Sequence, residues 1–178
     1  MLMKKAGLIG GMSWESTVPY YKIINEVIGQ QLGGLYSADC ILHSINFYEI
    51  ESTISKGNWD KSNELLANAA ESLENAGADF IGICSNTMHK CLPAIKKKVN
   101  LPIVHIVDAT VEEMKREGMS EGLLLGTRFT MEESFNKERF YKNGVNIIIP
   151  SLEERQLVHD IIFAELCRGI ITLSLIHI

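Results

Sequence analysis

Short, unbroken apolar runs alternate with amphipathic helical stretches along almost the whole chain, and this alternation limits the fold more than any other feature. The runs are AGLIG (6–10), CILHSI (40–45), DFIGIC (79–84), LPIVHI (101–106), GLLLG (122–126) and VNIIIP (145–150). Between the first two, Ser16 can cap a helix to Leu32, with Pro19 in its first turn and Val18, Tyr21, Ile24, Ile28 and Leu32 at helical spacing. A second helix follows Asp60, with Leu65, Leu66, Ala69, Leu73 and Ala76 on one face. Further helices are predicted over 87–98, 109–117, from Thr130 to Asn143-Gly144, and from Ser151 to about Arg168. Thr130 with Glu133, and Ser151 with Glu154, have capping-box spacing. Strands apolar throughout, separated by amphipathic helices, are parallel strands covered on both faces. The expected fold is therefore α/β, with parallel sheets flanked by helices.

In such sheets ligands collect at the carboxyl ends of strands. Gly10-Gly11-Met12, Asn46-Phe47, Cys84, Asp108 and Gly126-Thr127 all fall there. Cys84 ends an apolar strand and is followed by Ser85, Asn86 and Thr87 at the start of a helix. Amides at a helix start favour a thiolate, which acts as nucleophile or base. The same amides, with Asn86 and Thr87, suit a carboxylate or phosphate. Cys84 can equally be a small core filler.

GLIGGMSWEST (7–17) is a glycine turn that lets backbone approach a ligand. Its spacing is not G-x-G-x-x-G, and no acidic residue ends the second strand, which argues against a dinucleotide. Thr130 reads as a cap, leaving Thr127 as the ligand candidate. His89 lies one turn from Ser85, and His105 reads as a core histidine. Tyr20, Tyr21, Phe47 and Tyr48 read as packing residues. Cys84, His89 and Cys91 lack a zinc spacing, so no metal is expected.

Charge and cysteine usage narrow the class of partner. The chain carries 17 basic and 22 acidic residues, interleaved, for a net charge of -5, and no basic stripe points to nucleic acid. No apolar stretch reaches membrane-span length, and no signal peptide is read at the start. Four separated cysteines, Cys40, Cys84, Cys91 and Cys167, suit a reducing cytoplasm.

GLIGGMSWEST, ICSNTMHK, LPIVHIVDAT and LLGTRFTMEE occur in the order seen in the aspartate/glutamate racemase superfamily. From Ala6 to Gly169 the chain resembles that family, most closely its broad-specificity amino-acid racemase branch. The resemblance implies two similar Rossmann-like α/β domains with the site between them, and racemisation without pyridoxal phosphate, metal or other cofactor. Two cysteines, one per domain, then serve opposite faces of the α-carbon of a small amino-acid substrate. By motif position Cys84 is the first of these. Met12, Asn86, Thr87 and Thr127 become substrate-binding residues. A homodimer of the intact protein is also implied.

Two departures qualify the resemblance. Aspartate-selective members carry an arginine after the second strand and a lysine at the start of the helix after the sixth. Here SINFYEIES has no basic residue, and SLEERQLVH offers only Arg155, which implies neutral or broad substrates. The family's second cysteine lies in a GCTE motif, which is absent from residues 1–178. The expectation is a first domain at 1–107, an incomplete second at 108–172, and a non-native tail at 173–178 resembling translated sequencing adapter. Such a fragment is expected to be inactive alone, with Ile161, Ile162 and Leu166 uncovered. Short of the resemblance, two alternatives stand: another cysteine-nucleophile enzyme, or a non-catalytic small-anion binding module.

Overall fold

The computed structural model describes residues 3–172. The chain divides between Val104 and His105 into two compact units. In the first, β1 (Ala6–Gly10) leads to α1 (Trp14–Leu32), β2 (Cys40–Ser44), α2 (Phe47–Ser55), α3 (Trp59–Asn75) and β3 (Phe80–Ile83). A 3-10 turn at Thr87–Cys91, α4 (Leu92–Lys98) and the two-residue β4 (Ile103–Val104) complete it. The four strands form one sheet in the order β2-β1-β3-β4. Every pairing is parallel. Ile9, Leu66, Ile81, Leu73 and Ile95 lie wholly inside this unit. The α/β reading therefore holds, for the reason the apolar runs suggested.

The second unit contains α5 (Ile106–Arg116), β5 (Glu121–Leu123), α6 (Arg128–Glu132), α7 (Ser134–Lys142), β6 (Asn146–Ile148), α8 (Leu152–Ala164) and a 3-10 turn at Leu166–Arg168. Strands β5 and β6 pair in parallel. Val107, Val111, Phe140, Val145 and Ile147 form its core. Ser151 and Glu154 close the expected capping box at α8, each satisfying a backbone amide of the other. Residues 173–178, expected to be a non-native tail, lie outside the described residues.

Several expectations fail in instructive ways. Helix α1 starts at Trp14 with Ser13 as its flanking residue, not at Ser16, and Pro19 is inside it. Its stripe of Val18, Tyr21 and Leu32 faces outward, and only Thr17 is buried. Asn58, not Asp60, caps α3, its side chain accepting from the Lys61 amide at 3.2 Å. Helix α2 went unread, although Asn46 caps it through the Tyr48 amide at 3.2 Å. His105 is a buried cap rather than a strand residue: its Nδ1 accepts from the Val107 amide at 3.1 Å, which ends β4 early. Ile161 is buried on α8, while Leu166 is exposed.

Candidate active site

Strand order sets where a site can form. From β1 the chain steps to β2 on one side, then crosses to β3 on the other. The carboxyl ends of β1 and β3 therefore flank the topological switch point, where helices leave for opposite faces and open a crevice. Cys84 sits at that point. Its amide bonds to the Ile9 carbonyl at 2.9 Å, continuing the β1–β3 ladder.

The turn after β1 is built by close packing. A Cβ on Gly10 would lie 2.8 Å from Thr17 Oγ1 and 2.9 Å from Leu42 Cδ1. At Gly11, with φ of +87°, it would lie 2.7 Å from the Ile45 nitrogen. Only glycine fits both places, so the pair shapes the turn whether or not a ligand approaches. Thr17 Oγ1 accepts from the Gly11 amide at 2.9 Å and lies 3.2 Å from the Ser13 carbonyl it can donate to. Ser16 Oγ reaches the carbonyls of Ser13 at 2.9 Å and Cys84 at 3.2 Å. The first turn of α1 thereby ties Met12 and Cys84 into one local frame. Met12 is buried there.

Beyond Cys84, Asn86 is exposed and its side chain makes no cap bond, while Thr87 is buried. His89 points inward, its Nδ1 2.8 Å from the Ser85 carbonyl, so Nδ1 carries the proton. Cys91 is fully buried. The segment is a five-residue 3-10 turn rather than the α-helix start expected.

Electrostatics overturn one expectation outright. Cys84 is 1% exposed, and burial pushes its thiol up to about 12. A helix start was expected to lower it. Desolvation of the anion prevails instead, so the thiol stays protonated in this structure. Tyr20, half-buried, has its phenol raised chiefly by burial and secondarily by the charge Cys84 would carry as a thiolate, which places Tyr20 beside Cys84. Neither Ser16 nor Tyr20 was foreseen as a neighbour of the cysteine. They stand four residues apart on one face of α1, and the strand order was needed to show that this face meets β3.

Thr127, in the second unit, is the cap of α6. Its Oγ1 accepts from the Thr130 amide at 3.3 Å and lies 3.2 Å from the Thr130 hydroxyl. Thr130, expected to be the cap, is buried inside α6, and Thr127 caps that helix instead. Asp108 is engaged by Arg139 in a two-pronged ion pair at 2.5 and 2.6 Å. Arg155 pairs with Glu132 at 3.0 Å. Among the described residues no cluster of three or more His, Cys, Asp or Glu could hold a metal ion, and no helix is long and apolar enough to cross a membrane.

Comparison with known proteins decides the lineage. The sequence profile of the Asp/Glu/hydantoin racemases matches residues 9–171. The chain belongs to this racemase family. A broad-specificity amino-acid racemase of Bacillus subtilis (strain 168) is 27% identical over 147 residues, covering 80% of this chain and 63% of the relative. The racemase chain described here thus spans less than two thirds of that relative's length. Among solved structures, a candidate Asp/Glu racemase from Yersinia pestis is 50% identical, with a TM-score of 0.87 over 97% of this chain and 75% of that one. An aspartate racemase homologue from Pyrococcus horikoshii OT3 is 37% identical, with a TM-score of 0.80 over 94% of this chain and 74% of that one. The racemase fold accounts for the glycine turn and Cys84 occupying neighbouring strand ends.

Proposed function

We propose that this chain derives from a cofactor-independent amino-acid racemase in which Cys84 handles the α-proton on one face of the substrate. The observation that carries the reading is the seating of Cys84 at the β1/β3 switch point, its amide bonded to Ile9 and its carbonyl within reach of Ser16. Asn86 and Thr87 hold the substrate carboxylate at the start of the following turn. Met12 lines the substrate beside the glycine turn. Thr127 is assigned to substrate by its motif position.

A thiol pushed up to about 12 serves first as a proton donor to a carbanion. For the reverse transfer it must ionise, and the α-ammonium of a bound amino acid supplies the nearby positive charge that favours the thiolate. No arginine or lysine lies between Ser44 and Ser52, and the first turn of α2 carries Glu49. A second carboxylate on the substrate meets no cation there, which favours neutral or varied side chains.

The test is incubation of the chain in deuterium oxide with L-methionine, L-homoserine and L-aspartate. Proton NMR reads loss of the α-proton and polarimetry reads inversion. The expected result is exchange of the α-proton, strongest for the neutral substrates and abolished in Cys84→Ala. Exchange undiminished in Cys84→Ala, or exchange confined to L-aspartate, refutes the proposal.

A further inference from the structure

We propose that His159 is a positioning residue for Thr127: from α8, its neutral imidazole holds the turn from Gly126 to Arg128, and protonation of the ring lets that turn go. Its importance for turnover rests on the reading of Thr127 as a substrate contact. The tether itself lies wholly within the second unit and is measured without substrate.

Helix α6 is five residues long, and its first amides find no partner inside the helix. Thr127 Oγ1 meets one of these needs, at the Thr130 amide. The Arg128 amide, first in the helix, reaches another element: it donates to His159 Nδ1 at 3.2 Å. An amide can donate only to a ring nitrogen without a proton, so Nδ1 is bare and Nε2 carries the hydrogen. Aromatic contacts hold the same ring. Phe129, next to Arg128, meets it edge-on with centroids 6.1 Å apart, and Phe163, one turn further along α8, lies 4.8 Å away. One turn before His159, Arg155 pairs with Glu132, the last residue of α6, at 3.0 Å. Helix α8 thus grips α6 at both ends, with an ion pair at one and the imidazole at the other. An imidazole changes charge near neutral pH, and its acceptor nitrogen is lost when it does.

The charged groups around the ring are Arg128 and Glu132 on α6, and Asp160 and Arg155 on α8. Burial, and then the Arg128 charge, hold the imidazole below its usual 6.5, while Asp160 and Glu132 act in the opposite sense without prevailing. The tether is therefore made at neutral pH and is lost as pH falls through a folded-state value below 6.5. On protonation Nδ1 gains a hydrogen that faces the Arg128 N–H, so donor meets donor and the bond breaks. That amide belongs to the peptide unit whose carbonyl is Thr127's. The tether thereby fixes Thr127 at its ψ of 159°, and its release frees the backbone on which the Thr127 hydroxyl is aimed.

NMR spectroscopy of the isotope-labelled 178-residue chain, from about pH 5 to about pH 8, reads the tether. The Thr127 and Arg128 amide resonances are expected to shift together with the His159 ring protons, at one midpoint below 6.5. His159→Asn sets an amide oxygen near the place of Nδ1 and keeps an acceptor at every pH, so both amides are expected to hold their neutral-pH positions throughout. His159→Leu removes the acceptor, and its Arg128 amide is expected to exchange with solvent about tenfold faster at neutral pH. With L-methionine in deuterium oxide, His159→Leu is expected to raise KM for α-proton exchange about tenfold with kcat little changed, and His159→Asn to keep KM near the parent's. An Arg128 amide that ignores the His159 titration overturns the proposal. So does one as well protected in His159→Leu as in the parent, or a His159→Leu KM equal to the parent's. A parent chain that exchanges no α-proton defeats the substrate reading of Thr127 alone, and the amide titration still decides the tether.

Discussion

Two buried thiols make this protein's stability fall in alkali. Cys84 and Cys91 are 1% and 0% exposed, and burial raises each from 9.0 to about 12. The Lys90 ammonium pulls Cys91 back slightly, without reversing the effect. Below pH 9 both thiols are neutral in folded and unfolded chains, so neither contributes a pH dependence. Above pH 9 the unfolded chain sheds these protons while the folded chain keeps them. The unfolded state then binds fewer protons, and unfolding becomes easier as pH rises. Each thiol contributes a slope of about 1.4 kcal/mol per pH unit. Through to pH 12 that amounts to about 4 kcal/mol per thiol, a large share of the roughly 5–15 kcal/mol that holds a domain together. Urea unfolding followed by circular dichroism, from about pH 8 to about pH 11, measures the slope. Cys84→Ala and Cys91→Ala each lower stability by about 1 kcal/mol at neutral pH through lost packing, and each removes its own share of the alkaline slope. Tyrosines and lysines titrate over the same range, but they are common to all variants and cancel in the difference. A double variant with the same alkaline slope as the parent would show that these thiols ionise freely when folded, and the account of Cys84 given above would fail with it.

Other consequences are simpler to measure. Gly10→Ala forces a methyl against Thr17 and Leu42 and should lower stability by about 2 kcal/mol in urea titration; a change under a few tenths would mean the turn relaxes freely. Ser151→Ala removes one half of the α8 capping box and is expected to cost about 1 kcal/mol by the same measurement. Ser16→Ala frees the Cys84 carbonyl from its hydroxyl partner, and should speed alkylation of Cys84 by iodoacetamide severalfold with little loss of global stability, read by mass spectrometry of the modified peptide. An unchanged alkylation rate would show that Ser16 does not hold the β3 end.

The sequence carried β1 well because a parallel strand buried on both faces must be apolar throughout, and AGLIG is β1 residue for residue, whereas β4 shrinks to Ile103–Val104 and β5 and β6 keep exposed residues. Capping was legible only where two partners stood at fixed spacing. Ser151 with Glu154 satisfied that condition and formed, whereas Thr130 with Glu133 satisfied it and did not, because Thr130 lies inside α6 and the Glu133 amide bonds to the Phe129 carbonyl. Periodicity has a further blind spot at α1. It shows that Val18, Tyr21 and Leu32 share a face, but which way that face turns depends on Thr17 accepting from the Gly11 amide across the β1–α1 turn, which spacing alone does not show. At Cys84 the sequence gives a thiol before a helical turn, from which a lowered pKa follows only if water reaches the sulfur. Whether it does depends on how Ser16 and Tyr20 descend from α1 onto the end of β3, a relation between elements 68 residues apart in the hydrogen bond from Ser16. Chemistry that rests on neighbours in the chain could be read directly. The thiol's protonation state rests on neighbours in space, and those follow from the strand order β2-β1-β3-β4.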